Sequence, residues 1–166
     1  MSEFRILGAT GADVPIILAM IQGLAEYERL THLCVATEVD IFNALFAEKP
    51  TAEVVLAWEG ADAVGFALFF HNFSTFLGRP GLYLEDLFVL PAKRGRGYGR
   101  ALLIHLARLA VERGCGRFEW AVLDWNAPAI GFYQALGASL LPDWRITRVT
   151  GAALAALAAR PVLQPD

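Results

Sequence analysis

The residues from Lys93 to Arg100 read KRGRGYGR, a basic loop with glycine at 95, 97 and 99. An apolar run from Leu84 to Leu90 precedes it and is closed by Pro91, which cannot donate to a sheet ladder. A segment with Leu102, Leu103, Leu106, Leu109 and Ala110 at helical spacing follows. Strand, glycine-rich turn and helix in that order gather free backbone N–H groups at a helix N-terminus. Exposed donors and the positive end of the helix dipole both favour a phosphate there. Arg94, Arg96 and Arg100 add positive charge. No Gly-Lys-Ser/Thr closes the turn, so it is not a P-loop, and the glycine spacing is not that of a dinucleotide fingerprint. Arg94 to Gly99 follows R-x-x-G-x-G instead.

The preceding run carries a carboxylate pair, Glu85-Asp86. A glutamate inside an apolar strand is desolvated, which raises its pKa toward the range of a useful base. Glu85 is therefore a titratable group of interest, and Asp86 reads as structural. His32, His71 and His105 have no ligand spacing, and Cys34 and Cys115 lie far apart, so no metal is expected. Cys115 sits between two glycines and reads as a spacer.

The elements that must position these groups can be placed in outline. Phe4 to Leu7 reads as a strand. Thr10-x-x-Asp13 and Thr37-x-x-Asp40 are capping-box patterns opening two helices, the first running to about Tyr27-Glu28 and the second ended by Pro50. Glu53 to Trp58 and Ala63 to Phe70 read as a hairpin around a tight turn, and Ser74 to Pro80 as a loop. A strand from Leu82 to Val89 and a helix from about Gly97 to Arg113 frame the basic loop. Arg117 to Leu123 is a further strand, Pro128 to Leu136 a short helix capped by Gly137, and Ile146 to Val149 a late strand. An alanine-leucine helix, Gly151 to Arg160, precedes the tail from Pro161. The order predicts an α+β fold with a mixed sheet in a single domain spanning 1–166.

Composition narrows the class. Net charge is −3, so the basic residues are local and the chain as a whole is no polyanion binder. The hydrophobic fraction of 56% is high, yet no stretch reaches the roughly 18 uninterrupted apolar residues of a membrane helix. No signal-peptide core opens the sequence, and two distant cysteines suit a reducing cytoplasm.

Three features then fall in one order: the acidic strand, the R-x-x-G-x-G loop with its helix, and Asn126-x-Pro128-x-x-x-Phe132-Tyr133. Together they resemble the GNAT acyltransferase superfamily over nearly the whole chain. Tyr83 to Val89, Trp125-Asn126, Phe132-Tyr133, Gly137-Ala138 and Trp144-Arg145 resemble its diamine acetyltransferase branch, as does Ala25 to Glu28. The resemblance implies a GNAT fold, with a central, mostly antiparallel mixed sheet flanked by helices, and acetyl-CoA as cosubstrate. Gly95, Arg96, Gly97, Tyr98, Gly99 and Arg100, with Arg94 beside them, would hold the pyrophosphate. Leu87, Phe88 and Val89 would offer backbone groups to the pantetheine arm and thioester carbonyl, where an N–H stabilises an oxyanion. Asn126, Pro128 and Ala129 would flank the coenzyme on its far side. Tyr133 would be the general acid toward the departing thiolate, and Glu85 the base that leaves the amine neutral for attack, directly or through water, or else a group that only binds the amine. Tyr27, Glu28, Glu85, Glu119 and Trp120 are the acceptor-side candidates.

The polyamine enzymes carry an acidic cluster after the first helix, whereas this sequence has Arg29 and His32 there. A polycation finds less negative field in such a stretch, so a smaller amine, a lysine analogue or an amino-acid-like acceptor is expected. A peptide amine, a non-catalytic acetyl-CoA-binding module and an RNA-binding loop are the rival readings. The last needs basic and stacking residues spread over one face, and here there is one short cluster. Neither nucleic acid nor membrane is expected as a partner. The resemblance implies a homodimer, with the C-terminal helix and nearby strand as first candidates for the interface.

Overall fold

The computed structural model describes residues 3–162, so the end of the expected tail lies outside the described residues. The chain divides into two compact units, Met1–Ala121 and Val122–Asp166.

The first unit holds a five-stranded sheet: β1 (Phe4–Gly8), β2 (Glu53–Glu59), β3 (Asp62–Ser74), β4 (Arg79–Val89) and β5 (Arg117–Trp120), in that spatial order. The first four are joined antiparallel, whereas β4 and β5 run parallel. The parallel pair is connected by α3 (Tyr98–Glu112), as a parallel connection requires a crossover. Helices α1 (Val14–Tyr27) and α2 (Glu38–Phe46) lie between β1 and β2 in sequence.

Both capping patterns form. The Asp13 carboxylate accepts from the Thr10 N–H and hydroxyl at 2.7 and 2.8 Å, opening a single 3-10 turn that leads into α1. Asp40 accepts from the Thr37 N–H and hydroxyl at 2.8 and 2.6 Å, while Thr37 Oγ takes the Asp40 N–H. Pro15 falls at the second position of α1, where its missing N–H costs nothing.

Val14, Ile17 and Met20 of α1 and Ile41 and Leu45 of α2 form one core with Leu56, Phe66 and Phe88 of the sheet. Helix α3 packs on β3 and β4 and buries Leu102, Leu103, Leu106 and Ala110. The hairpin strands run further than the sequence suggests, since β3 reaches Ser74 and β4 begins at Arg79, leaving a connection of only four residues.

The second unit contains α4 (Ala127–Ala135) and α5 (Gly151–Ala158). The strand expected at Ile146 to Val149 does not form: that segment is irregular and Ile146 is 73% exposed. Four residues supply no ladder of their own, and a lone strand without a paired neighbour is unstable in water.

Candidate active site

A β-bulge in β4 sets the acidic side of the site. Leu68 of β3 pairs with Asp86, and Phe69 pairs with Leu84, so Glu85 is an extra residue with no partner. Regular alternation would put Glu85 and Asp86 on opposite faces. The insertion lets both carboxylates open into one cavity of about 590 Å³.

The rest of that cavity comes from the end of α1 and the turns after it. Leu30 N–H bonds to the Ala25 carbonyl at 2.8 Å and Arg29 N–H to the Glu26 carbonyl at 3.1 Å, reversing the chain. Arg29 takes up a left-handed conformation with φ 61°, a position usually given to glycine. Glu28, Asp40 and the apolar side chains of Leu24, Leu30, Leu33 and Val35 complete the lining. Arg29 and His32 are exposed on the segment that follows α1.

The carboxylates are not equivalent. Glu85 is exposed, whereas Asp86 is half-buried. Burial, then the charges of Glu85 and Glu28, push the Asp86 carboxyl up to about 6. Burial also raises Glu28. Tyr83, two residues before Glu85, is raised by burial and by the charges of Glu85 and Glu119. The sequence pattern gave no reason to prefer Asp86, because its burial follows from the bulge.

Downstream of the bulge, Leu87, Phe88 and Val89 pair with Ala67, Phe66 and Gly65 of β3. Strand β5 pairs only with Gly81 to Leu84, so the other edge of Leu87 to Val89 meets no strand among the described residues. Backbone groups at an edge without a strand partner suit an extended arm carrying amides and a thioester.

The chain then enters the glycine loop. Gly95 and Gly97 have φ of 76° and 86°, and Gly97 caps the N-terminus of α3. The N–H groups of Gly95, Arg96 and Gly97 reach no backbone carbonyl among the described residues. With the first-turn donors of α3 they form a set able to hold a diphosphate. Arg94 donates from Nε to the Val89 carbonyl at 3.0 Å, and its guanidinium lies over the rings of Tyr27 and Phe88. The Tyr98 ring stacks on Phe4 at 4.8 Å, and its hydroxyl donates to Glu59. Arg100 is exposed on the first turn of α3.

Glu119 and Trp120 lie on β5 and are not in the cavity lining. One Glu119 oxygen accepts from Asn72 Nδ2 at 3.1 Å and pairs with Arg117 Nε at 2.8 Å. Trp120 packs against Phe118 with ring centroids 4.9 Å apart.

In the second unit, the Asn126 side chain caps α4, its carbonyl oxygen accepting from the Ala129 N–H at 3.3 Å. Pro128 follows in the first turn, where its fixed φ favours the helix. Tyr133 lies on the same helix, its ring 5.4 Å from that of Phe132. No cluster of three or more His, Cys, Asp or Glu suited to a metal occurs among the described residues. None of the described helices is long and apolar enough to cross a membrane.

Comparison with known proteins meets this geometry. The Acetyltransferase (GNAT) family model matches residues 20–138. A thialysine N-epsilon-acetyltransferase of Mus musculus is 37% identical, over 96% of this chain and 100% of its own length. An L-ornithine N5-acetyltransferase of Arabidopsis thaliana is 36% identical, over 92% of this chain and 87% of its own. Among solved structures, an integron cassette protein from the mobile metagenome of V. cholerae superposes with a TM-score of 0.81 at 30% identity, covering 96% of this chain and 99% of that one. An open strand edge running into an R-x-x-G-x-G loop is thus joined to matches along most of the sequence, and the chain belongs to the GNAT family of N-acetyltransferases, close to its diamine branch.

Proposed function

We propose that this enzyme transfers the acetyl group of acetyl-CoA to a primary amine of a small molecule, by direct attack with both substrates bound. The observation that carries the reading is the bulge of β4, which turns Glu85 and Asp86 into one cavity with Glu28 on the strand that leads into the glycine loop. Four carboxylates, Glu28, Asp40, Glu85 and Asp86, among apolar walls attract a compact cationic amine. The thialysine and ornithine enzymes act on amines of that size. Backbone donors from Gly95 to Arg100 hold the pyrophosphate, and Leu87 to Val89 orient the thioester. Asn126, Pro128 and Ala129 flank the coenzyme.

Tyr133 acts as general acid, its phenol passing a proton to the departing thiolate. Glu85 takes a proton from the bound ammonium, directly or through water, and the neutral amine then attacks the thioester carbonyl. A second assignment has a specific observation behind it: Asp86, with its carboxyl raised to about 6, is matched to accept a proton near neutrality. The two units work as one acetyltransferase domain, a reading supported by a family match that runs across their boundary. The protein acts in the cytoplasm as a homodimer, and exposed Ile146, Val149, Leu154 and Leu157 supply apolar surface for the contact.

The test is coenzyme A release from acetyl-CoA against spermidine, short diamines, lysine, thialysine, ornithine and peptide N-termini, with Tyr133→Phe, Glu85→Gln and Asp86→Asn alongside. Turnover of a small amine with a loss of about 10²–10⁴-fold in Tyr133→Phe is expected. Binding of acetyl-CoA with no turnover of any amine would instead indicate a binding module.

A further inference from the structure

Glu59 ends β2, and its side chain is 18% exposed. Its Oε2 accepts from the Lys93 ammonium. Its Oε1 accepts from the Tyr98 hydroxyl at 2.8 Å and from the Arg96 guanidinium at 3.2 Å. Lys93 closes the turn before the glycine loop, Arg96 lies inside it, and Tyr98 is the first residue of α3. The two oxygens therefore tie down the entry, the middle and the exit of one short loop. The anchor itself is well seated. Glu59 is the register partner of Phe4 on β1, and the Phe4 ring stacks on Tyr98 with the planes 4° apart.

We infer that Glu59 is a positioning residue for acetyl-CoA, holding the pyrophosphate loop in its binding shape before the cosubstrate arrives. The inference rests on the reading of that loop as the coenzyme site. The loop needs such a tie because left-handed glycines at 95 and 97 leave its backbone many alternatives. Ordering those residues on binding would draw on the affinity, and a loop already ordered avoids that loss. A carboxylate close to a diphosphate site would ordinarily repel the ligand. Here Lys93 and Arg96 neutralise it and solvent screens the remainder, so ordering outweighs repulsion. The bonds from Lys93 and Tyr98 hold the Glu59 carboxyl below its ordinary range, which keeps it ionised at neutral pH.

Acetyl-CoA binding is measured by calorimetry, and steady-state kinetics are run for the wild-type chain, Glu59→Ala, Tyr98→Phe and the double variant. Glu59→Ala is expected to raise Kd and KM for acetyl-CoA about 10-fold, with kcat and the amine KM within about 2-fold of wild type. Tyr98→Phe, which removes one bond of the three, gives a smaller rise in the same direction. The double variant is no worse than Glu59→Ala, because the hydroxyl acts through that carboxylate. Unchanged or tighter acetyl-CoA binding in Glu59→Ala, or fully additive losses, would overturn the assignment. If Glu59→Ala fails to fold, Tyr98→Phe decides alone: unchanged KM for acetyl-CoA rejects the tie. No acetyl-CoA binding by the wild-type chain would instead overturn the functional reading beneath it.

Discussion

The Arg94 guanidinium lies 4.5 Å from the centre of the Tyr27 ring, so the last residue of α1 touches the first residue of the R-x-x-G-x-G loop. Helix α1 and the glycine loop are thereby joined by one side-chain contact, reinforced by the bond from Arg94 Nε to the Val89 carbonyl.

Arg94→Lys keeps the charge but loses the planar group that stacks and donates from Nε. We expect KM for acetyl-CoA to rise about 10-fold in this variant. Tyr27→Leu removes only the ring, and a contact of this kind at an exposed site is worth about 0.5–1 kcal/mol, or roughly 2- to 5-fold. Steady-state kinetics with each substrate varied in turn provide the check. A Tyr27→Leu effect confined to the amine KM would show that the ring serves the acceptor alone.

Asp86 makes stability depend on pH. Its folded-state carboxyl is raised from 3.8 to about 6, so the folded protein binds this proton more tightly than the unfolded chain does. The favourable contribution is complete below the unfolded value, near pH 3.8, and is lost as pH rises through about 6. Asp86→Asn removes the dependence. Relative to wild type, the variant should gain stability between pH 4 and 7, by at most about 3 kcal/mol for a shift of this size. Parallel urea titrations at pH 4, 5.5 and 7 measure it, and an offset that does not change with pH would refute the linkage.

A methyl group has no room at Gly23. A Cβ built there lies 2.9 Å from the tip of the Phe88 ring, and that ring is 4% exposed in the core beneath α1. Gly23→Ala gains about 1 kcal/mol of helix propensity but meets an overpacking penalty of about 1–3 kcal/mol. A net loss of about 1 kcal/mol is expected, and Phe88→Leu in the same chain should recover part of it. Thermal unfolding of the two single variants and the double variant tests the coupling.

The cap of α4 is separately testable. Asn126 is largely buried and its side chain accepts from the Ala129 N–H. Asn126→Ala should cost about 1 kcal/mol, whereas Asn126→Asp retains a cap acceptor and should cost less. Chemical denaturation followed by circular dichroism separates the two; equal losses would mean that the cap contributes nothing.

Local patterns were legible in the sequence. The two Thr-x-x-Asp boxes, the Pro128 helix start and the glycine loop opening α3 depend on residues a few positions apart, and each forms where its spacing places it. What depended on distant partners was not legible. β3 extends to Ser74 because Phe73 and Ser74 find Pro80 and Arg79 across the hairpin. Ile146 to Val149 reads as a strand in the sequence, yet the segment forms none. The site divided in the same way: the run from Arg94 to Arg100 could be read directly, while the contrast between Glu85 and Asp86 required a register shift set by β3. The role of Glu59 was equally hidden, since its partners lie 34 to 39 residues away.

The unpaired residue of β4 also separates two kinds of change. Its neighbours are fixed by the sheet: Leu84 is buried opposite Phe69, Asp86 faces Leu68, and Phe88 fills the core against Gly23. Position 85 has no opposite number and an exposed side chain, so its identity is nearly decoupled from folding. Charge, length or polarity can change there at little cost to the scaffold. The same exchanges at 86 or 88 would have to survive the packing first, so activity measured across substitutions at 85 reports on the chemistry proposed for that side chain without folding losses mixed in.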